Sequence, residues 1–338
     1  DQLYNLGDGE FAFIKECTKT HNNEEDFLAI KEFQNNVQRS ILHVNEYQYN
    51  INVIISYDFS KDNLFENVKL GIKKAISDNL DLVNAANLSS DAKIIAHKNI
   101  KTIEMIKDAI ESNNIITYYQ PIFYNKEKVI SKHESLVRII NKNNEIISPY
   151  SFIDIAKKGK YYTNITDTMI DNIFESMSTK DKTISLNLSS LDIENAYIRD
   201  KLLLLMQEKN IANKLIIELL EDEESKDFET VKKFINTVKR LGVKIAIDDF
   251  GAGYSNFNRL MQFEPDILKI DGSLIKNIDT DIYSKNIVET IVAFAQKQKI
   301  DTVAEFVHKK EIFDIVNELE IDYSQGYYIG EPKPEFLN

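Results

Sequence analysis

The stretch from Lys244 to Asn256, KIAIDDFGAGYSN, places two adjacent carboxylates, Asp248 and Asp249, between an apolar strand and a glycine-flexible loop. Neighbouring residues on a strand point to opposite faces, so two acids can serve one polar centre only where the strand stops. Barrel and doubly wound α/β folds put their chemistry at strand ends of this kind. An Asp pair there also has a plain structural use, capping the helix that follows.

Other strand-like segments carry polar residues as well: Glu134, Asn187, Glu218 with Glu221, Lys269 with Asp271, Glu305 and Gln325. Each alone has an ordinary explanation as an edge acid, a turn former or a charge partner. Gathered at one end of a sheet or barrel, five or more carboxylates with little cationic compensation would be very costly unless metal ions neutralised them. Oxygen ligands without His or Cys point to Mg²⁺ or Mn²⁺.

The elements that would position these residues alternate strand and helix, which predicts a mostly parallel sheet or barrel. Strands are expected at Thr117–Tyr124, Lys128–Ile140, Thr183–Ser189, Leu215–Glu221, Lys244–Phe250, Ile267–Asp271, Thr302–Val307 and Ser324–Ile329. Eight strands in about 220 residues is the size of a TIM-type (β/α)8 barrel. Asn125-Lys126-Glu127 is too short for a crossover helix, so the first two strands should form an antiparallel pair.

Composition bounds the partners. The 338-residue chain carries a net charge of −13, which argues against binding a DNA or RNA polymer. A single cysteine, Cys17, excludes an internal disulfide, and five scattered histidines show no zinc spacing. No long apolar run or leader is present, so a cytoplasmic location with no membrane contact from this segment is expected; a longer native protein could be membrane-attached.

Residues 1–88 read as a small α+β unit, with a GDGE turn before the strand Phe11–Ile14, helices near 24–42 and 63–77, and a strand at Tyr49–Asp58. A charged helix over 89–113 reads as a linker to a barrel at 114–338. The segment LGDGEFAFI resembles the signature turn of GGDEF domains, which make cyclic di-GMP. Gly7, Glu10 and Phe11 fit, whereas Asp8 stands at the second glycine and Gly9 at the metal-binding acid. The resemblance therefore implies a partial, degenerate GGDEF-like domain without cyclase activity, truncated before its first strand and helix. Asp1 falls at the last position of that family's inhibitory site, whose Arg is not in this sequence.

The second part resembles EAL-domain cyclic di-GMP phosphodiesterases over roughly Ile115 to Pro334. The motifs are Glu134-Ser135-Leu136 within HESLVR, YYQPI, SLNLS, IELLE, IDDFGAGYSN, LKIDGSLI, VAEFV and SQGYY. Carried over by position, the resemblance implies that Glu134, Asn187, Glu218 and Asp248 hold one of two Mg²⁺ or Mn²⁺ ions, and that Asp248 and Asp249 hold the other. It gives Lys269 the attacking water, Glu305 the support of the metal–water network, and Glu221 the anchoring of the loop after Asp249. Gln120, Arg138 and Gln325 match substrate-binding positions, and a homodimer through the EAL domain is implied.

Departures from the family pattern include Leu220, Ala252, Asn256, Lys157, His308 and Phe306, which replaces a glycine and is expected to crowd the site. The leading expectation is a metal-dependent phosphodiesterase that cleaves cyclic di-GMP to pGpG. The alternatives are an EAL receptor that binds cyclic di-GMP without useful turnover, and a scaffold acting by protein contact.

Overall fold

The computed structural model describes residues 2–15, 23–60, 62–209, 211–220, 227–252, 260 and 262–337. The chain divides into two compact units, Asp1–Asn99 and Ile100–Asn338. The helix Leu88–Glu111 runs through the division as one element.

The first unit has short pairings. Strands β1 (Gln2–Gly7) and β2 (Glu10–Ile14) form the expected hairpin, turning through Asp8 and Gly9, both at positive φ. A helix, Asn23–Arg39, leads into a second hairpin, β3 (Ile41–Val44) with β4 (Tyr47–Asn50). The predicted helix to residue 42 therefore ends early, because the Ile-Leu-His-Val run pairs as a strand. Strand β5 (Ile55–Tyr57), the helix Leu64–Ser77 and β6 (Leu82–Asn84) make a parallel βαβ unit. Gly71 is needed there, since a Cβ on it would stand 1.9 Å from Ser56 Oγ.

The second unit is an eight-stranded closed barrel. Its strands are β7 (Ile115–Tyr124), β8 (Val129–Ile140), β10 (Ile184–Asn187), β11 (Leu215–Leu220), β12 (Lys244–Phe250), β13 (Ile267–Ile270), β14 (Asp301–Ala304) and β15 (Tyr323–Gln325). A two-residue strand, β9 (Ile146–Ile147), lies outside the ring on β8. Parallel pairing runs from β8 through β10 to β15, and β7 closes the ring antiparallel to both β8 and β15. The short β7–β8 connection predicted that reversal. The main core, including Ile106, Phe152, Phe174, Ile217, Ile245 and Leu268, is the layer between strands and surrounding helices.

Inside the ring a smaller apolar cluster joins Ile122, Ile216, Ala246, Ile267 and Val303, with Tyr323 packed against it. Strand side chains alternate, so residues two positions from this cluster share its face. Those residues are Gln120, Glu218, Asp248, Lys269, Glu305 and Gln325. Seven barrel strands run parallel, and six of these polar residues and their neighbours lie toward one end. The barrel interior is thus layered, apolar below and polar above.

Candidate metal centre

Lys269 is the hub of the polar layer. Its ammonium is 1% exposed and lies 2.8 Å from Glu218 Oε2, 2.8 Å from Asp248 Oδ1, 2.9 Å from Glu305 Oε1 and 3.3 Å from Glu134 Oε2. Four strands, β8, β11, β12 and β13, and the residue after β14 deliver these groups.

Glu134 is held at both oxygens. Asn187 Nδ2 donates to Oε1 at 2.8 Å and Gln325 Nε2 donates to Oε2 at 2.5 Å. Gln325 Nε2 also donates to Gln120 Oε1 at 3.2 Å, tying the reversed strand β7 to the same network. The parallel register sets Asn187 beside Glu218, and the β7–β8 register sets Gln120 beside Glu134.

Strand β12 ends at Phe250 as expected, one residue past the Asp248-Asp249 pair, so regular alternation would still set the two acids on opposite faces. A β-bulge resolves the conflict: Ile247 pairs with Leu268 and Phe250 with Ile270, so β12 carries one extra residue there. Asp249 has a φ of +55°, a left-handed conformation that Asp tolerates better than most residues. This turns its carboxylate toward the group on Asp248's face.

Among the described residues, two triads could hold a metal ion, Glu134 with Glu218 and Asp248, and Asp248 with Asp249 and Glu305; within each, one oxygen per residue lies within 4.8 Å of the others. Asp248 belongs to both. The donor set fits a hard divalent cation: it is all oxygen, and the buried acceptors Asp248 Oδ1 and Gln325 Oε1 accept no aligned hydrogen bond among the described residues. Asp248 Oδ1 is at ion-pair distance from Lys269 but is not aligned for a hydrogen bond.

Burial and mutual repulsion govern the protonation of these groups. Burial pushes the Glu218 carboxyl up to about 8 against the pull of Lys269, with Glu134 and Asp248 adding to the rise. Burial and then Asp248 push Asp249 up to about 6. Asp248 and Glu305 are also raised, chiefly by burial. Glu134 is lowered: burial opposes its charge, but Lys269, Gln325 and Asn187 together outweigh that cost. Lys269 is burdened by burial yet raised well above 10.5 by Asp248, Glu134, Glu218 and Glu305, so it stays an ammonium.

The remaining predicted residues are placed as follows. Arg138 is half-buried, donates from Nη1 to Val137 O at 2.8 Å, and stands 5.3 Å from the Tyr118 ring centroid. Asp271 leaves the cluster to cap the next helix, accepting from Ser273 N at 2.9 Å. Glu221 lies outside the described residues, as do residues 253–259 of the glycine loop. Phe306 does not fill the site as its bulk suggested, because its side chain is 58% exposed.

One buried group was not foreseen. Lys132, two positions before Glu134 on the same face, is 7% exposed, with Nζ 3.4 Å from the Tyr323 ring centroid and no hydrogen-bond acceptor among the described residues. Burial lowers it to about 8. The period-two spacing from Glu134 was the available signal.

Residues 103–332 match the EAL domain family. The chain is 33% identical over 241 residues to the cyclic di-GMP phosphodiesterase PdeF of Escherichia coli K12, covering 70% of this chain and 32% of that protein. The chain spans between about a quarter and a half of the length of the curated relatives it matches. Among solved structures, an EAL domain protein from Listeria monocytogenes superposes with a TM-score of 0.63 at 29% identity, covering 68% of this chain and 93% of that one. The PaMucR phosphodiesterase, solved as a cyclic di-GMP complex, superposes with a TM-score of 0.64 at 26% identity, covering 69% and 98%.

Proposed function

The chain belongs to the EAL domain family, and we propose that its barrel is a metal-dependent phosphodiesterase that hydrolyses cyclic di-GMP to linear pGpG. The observation that carries this reading is the pair of carboxylate triads sharing Asp248 around a buried lysine. Relatives named as cyclic di-GMP phosphodiesterases support the substrate.

In this reading Glu134, Asn187, Glu218 and Asp248 hold one Mg²⁺ or Mn²⁺ ion, and Asp248 and Asp249 hold a second, with Glu305 beside them. Ions bound there supply Lewis acidity toward the diester and a water of lowered pKa. Lys269, which donates to Glu218 and Glu134 within the centre, holds the attacking water. Asn187 and Gln325 fix Glu134 so that its lone pairs point inward. Arg138 and Gln120, with Gln325, contact the substrate, and a guanidinium suits a phosphate oxygen. Glu221 anchors the loop that follows Asp249.

The same reading makes residues 1–88 a degenerate GGDEF-like domain without cyclase activity, 89–113 a linker helix and 114–338 the EAL barrel, acting in the cytoplasm. Exposed Ile282, Tyr283 and Ile287 on the helix Ile282–Gln298 support a homodimer through the barrel. Incubation with cyclic di-GMP and Mg²⁺ or Mn²⁺, followed by product chromatography, tests the activity. Linear pGpG that disappears with EDTA supports it. Ligand bound but returned unchanged favours a receptor instead.

A further inference from the structure

Phe306 is a rim residue that folding alone does not account for. Its φ of +56° lies in the left-handed region, where a Cβ meets its own backbone. Its side chain is 58% exposed, so the ring recovers little of that cost by burial.

The conformation is imposed from both sides. Glu305 N–H donates to Ile270 O at 3.2 Å, and Val307 N–H donates to Gln325 O at 2.9 Å. Gly326 permits the second bond, since a Cβ there would stand 2.2 Å from Val307 O. Gly272 makes room for Phe306, whose Cβ lies 2.8 Å from where a Cβ on Gly272 would be. The His308 ring meets the Phe306 ring edge-on, with centroids 5.4 Å apart at 62°.

An aromatic ring is therefore strained, pinned and exposed one residue beyond Glu305, whose carboxylate is 2.9 Å from Lys269. Strain that the surroundings enforce is concentrated at ligand clamps and active sites. A nucleotide diester seated at the carboxylates carries its bases outward from the phosphates, and every base has a face that stacks on an aromatic ring. We infer that Phe306 is a stacking platform for one purine base of the substrate, a base subsite on the rim of the barrel. This rests on the phosphodiesterase reading and adds to it a residue that sets base affinity and leaves the bond cleavage to the carboxylate centre.

The test uses the whole chain. Phe306→Ala should raise KM for cyclic di-GMP about tenfold, within the range of one base–aromatic stack, and change kcat by less than about twofold. Phe306→Gly should raise KM equally while raising the thermal midpoint, because it removes ring and strain together, an outcome that a merely structural role would not produce. The protein contains no tryptophan, so Phe306→Trp introduces a single reporter. That variant should keep a low KM, and its fluorescence should be quenched by cyclic di-GMP. Unchanged or lower KM in the Ala and Gly variants, or saturating substrate without quenching, overturns the inference. A wild-type chain that neither binds nor cleaves cyclic di-GMP overturns the phosphodiesterase reading first and this inference with it; that failure is recognised because it is seen without any substitution.

Discussion

Lys269 Nζ stands 2.8 Å from Asp248 Oδ1, yet that buried oxygen accepts no aligned hydrogen bond. Charge attraction holds the pair together and leaves a carboxylate lone pair unused. The same carboxylate belongs to both acidic triads, where such a lone pair could be given to a divalent cation.

Replacing the lysine tests how much the cluster depends on it. Lys269→Met leaves the ionised Glu134 carboxylate without its ammonium and should destabilise the metal-free barrel by about 3–5 kcal/mol, the usual cost of orphaning a buried charge. Chemical denaturation with EDTA present measures it, and added Mg²⁺ should recover part of the loss. Unchanged stability would contradict an ionised Glu134 that depends on this ammonium.

The sign of the pH dependence follows from Glu218. Its carboxyl is raised from 4.5 to about 8, so the folded chain holds a proton that the unfolded chain releases between those values. The stability of the metal-free protein should therefore fall as pH rises through that window, and Glu218→Gln should flatten the slope. Asp249, raised to about 6, contributes in the same direction. Thermal midpoints measured in EDTA across the window check this, and a midpoint rising with pH would contradict it.

Lys132 gives the complementary case. Its amine is lowered from 10.5 to about 8, so its burial cost is constant below about 8 and is relieved as pH rises toward 10.5. Lys132→Met should raise the midpoint by a few degrees at neutral pH, with the gain shrinking at alkaline pH. No gain at neutral pH would show that contact with the Tyr323 ring offsets the burial cost.

On the GGDEF-like reading proposed for residues 1–88, the expectation is no synthesis of cyclic di-GMP from GTP and Mg²⁺, because Asp8 and Gly9 sit in reversed order within the β1–β2 turn. The assay is run with Asp248→Ala, so that any product would accumulate; detectable product would refute the expectation.

Much of the barrel was legible because strand alternation and the short β7–β8 connection are local signals. Glu134, Glu218, Asp248, Lys269, Glu305 and Gln325 were recognisable as one set, and period two brings them to one face. What was not legible depended on register. The bulge at Asp249 comes from pairing between β12 and β13, which residue types on β12 alone do not specify. Lys132 was hidden because a lysine near a strand start ordinarily reaches solvent. The exposure of Phe306 depends on contacts with Gly272 and Gly326, from two other segments.

The shared role of Asp248 is tested most directly by counting bound ions. Equilibrium dialysis of the EDTA-treated chain against Mn²⁺ at about pH 8, where Glu218 begins to ionise, should find two ions per wild-type chain. Asp248→Ala should lose measurable binding of both, since both triads include that carboxylate. Two ions retained by Asp248→Ala, or none bound by the wild type, would contradict the account.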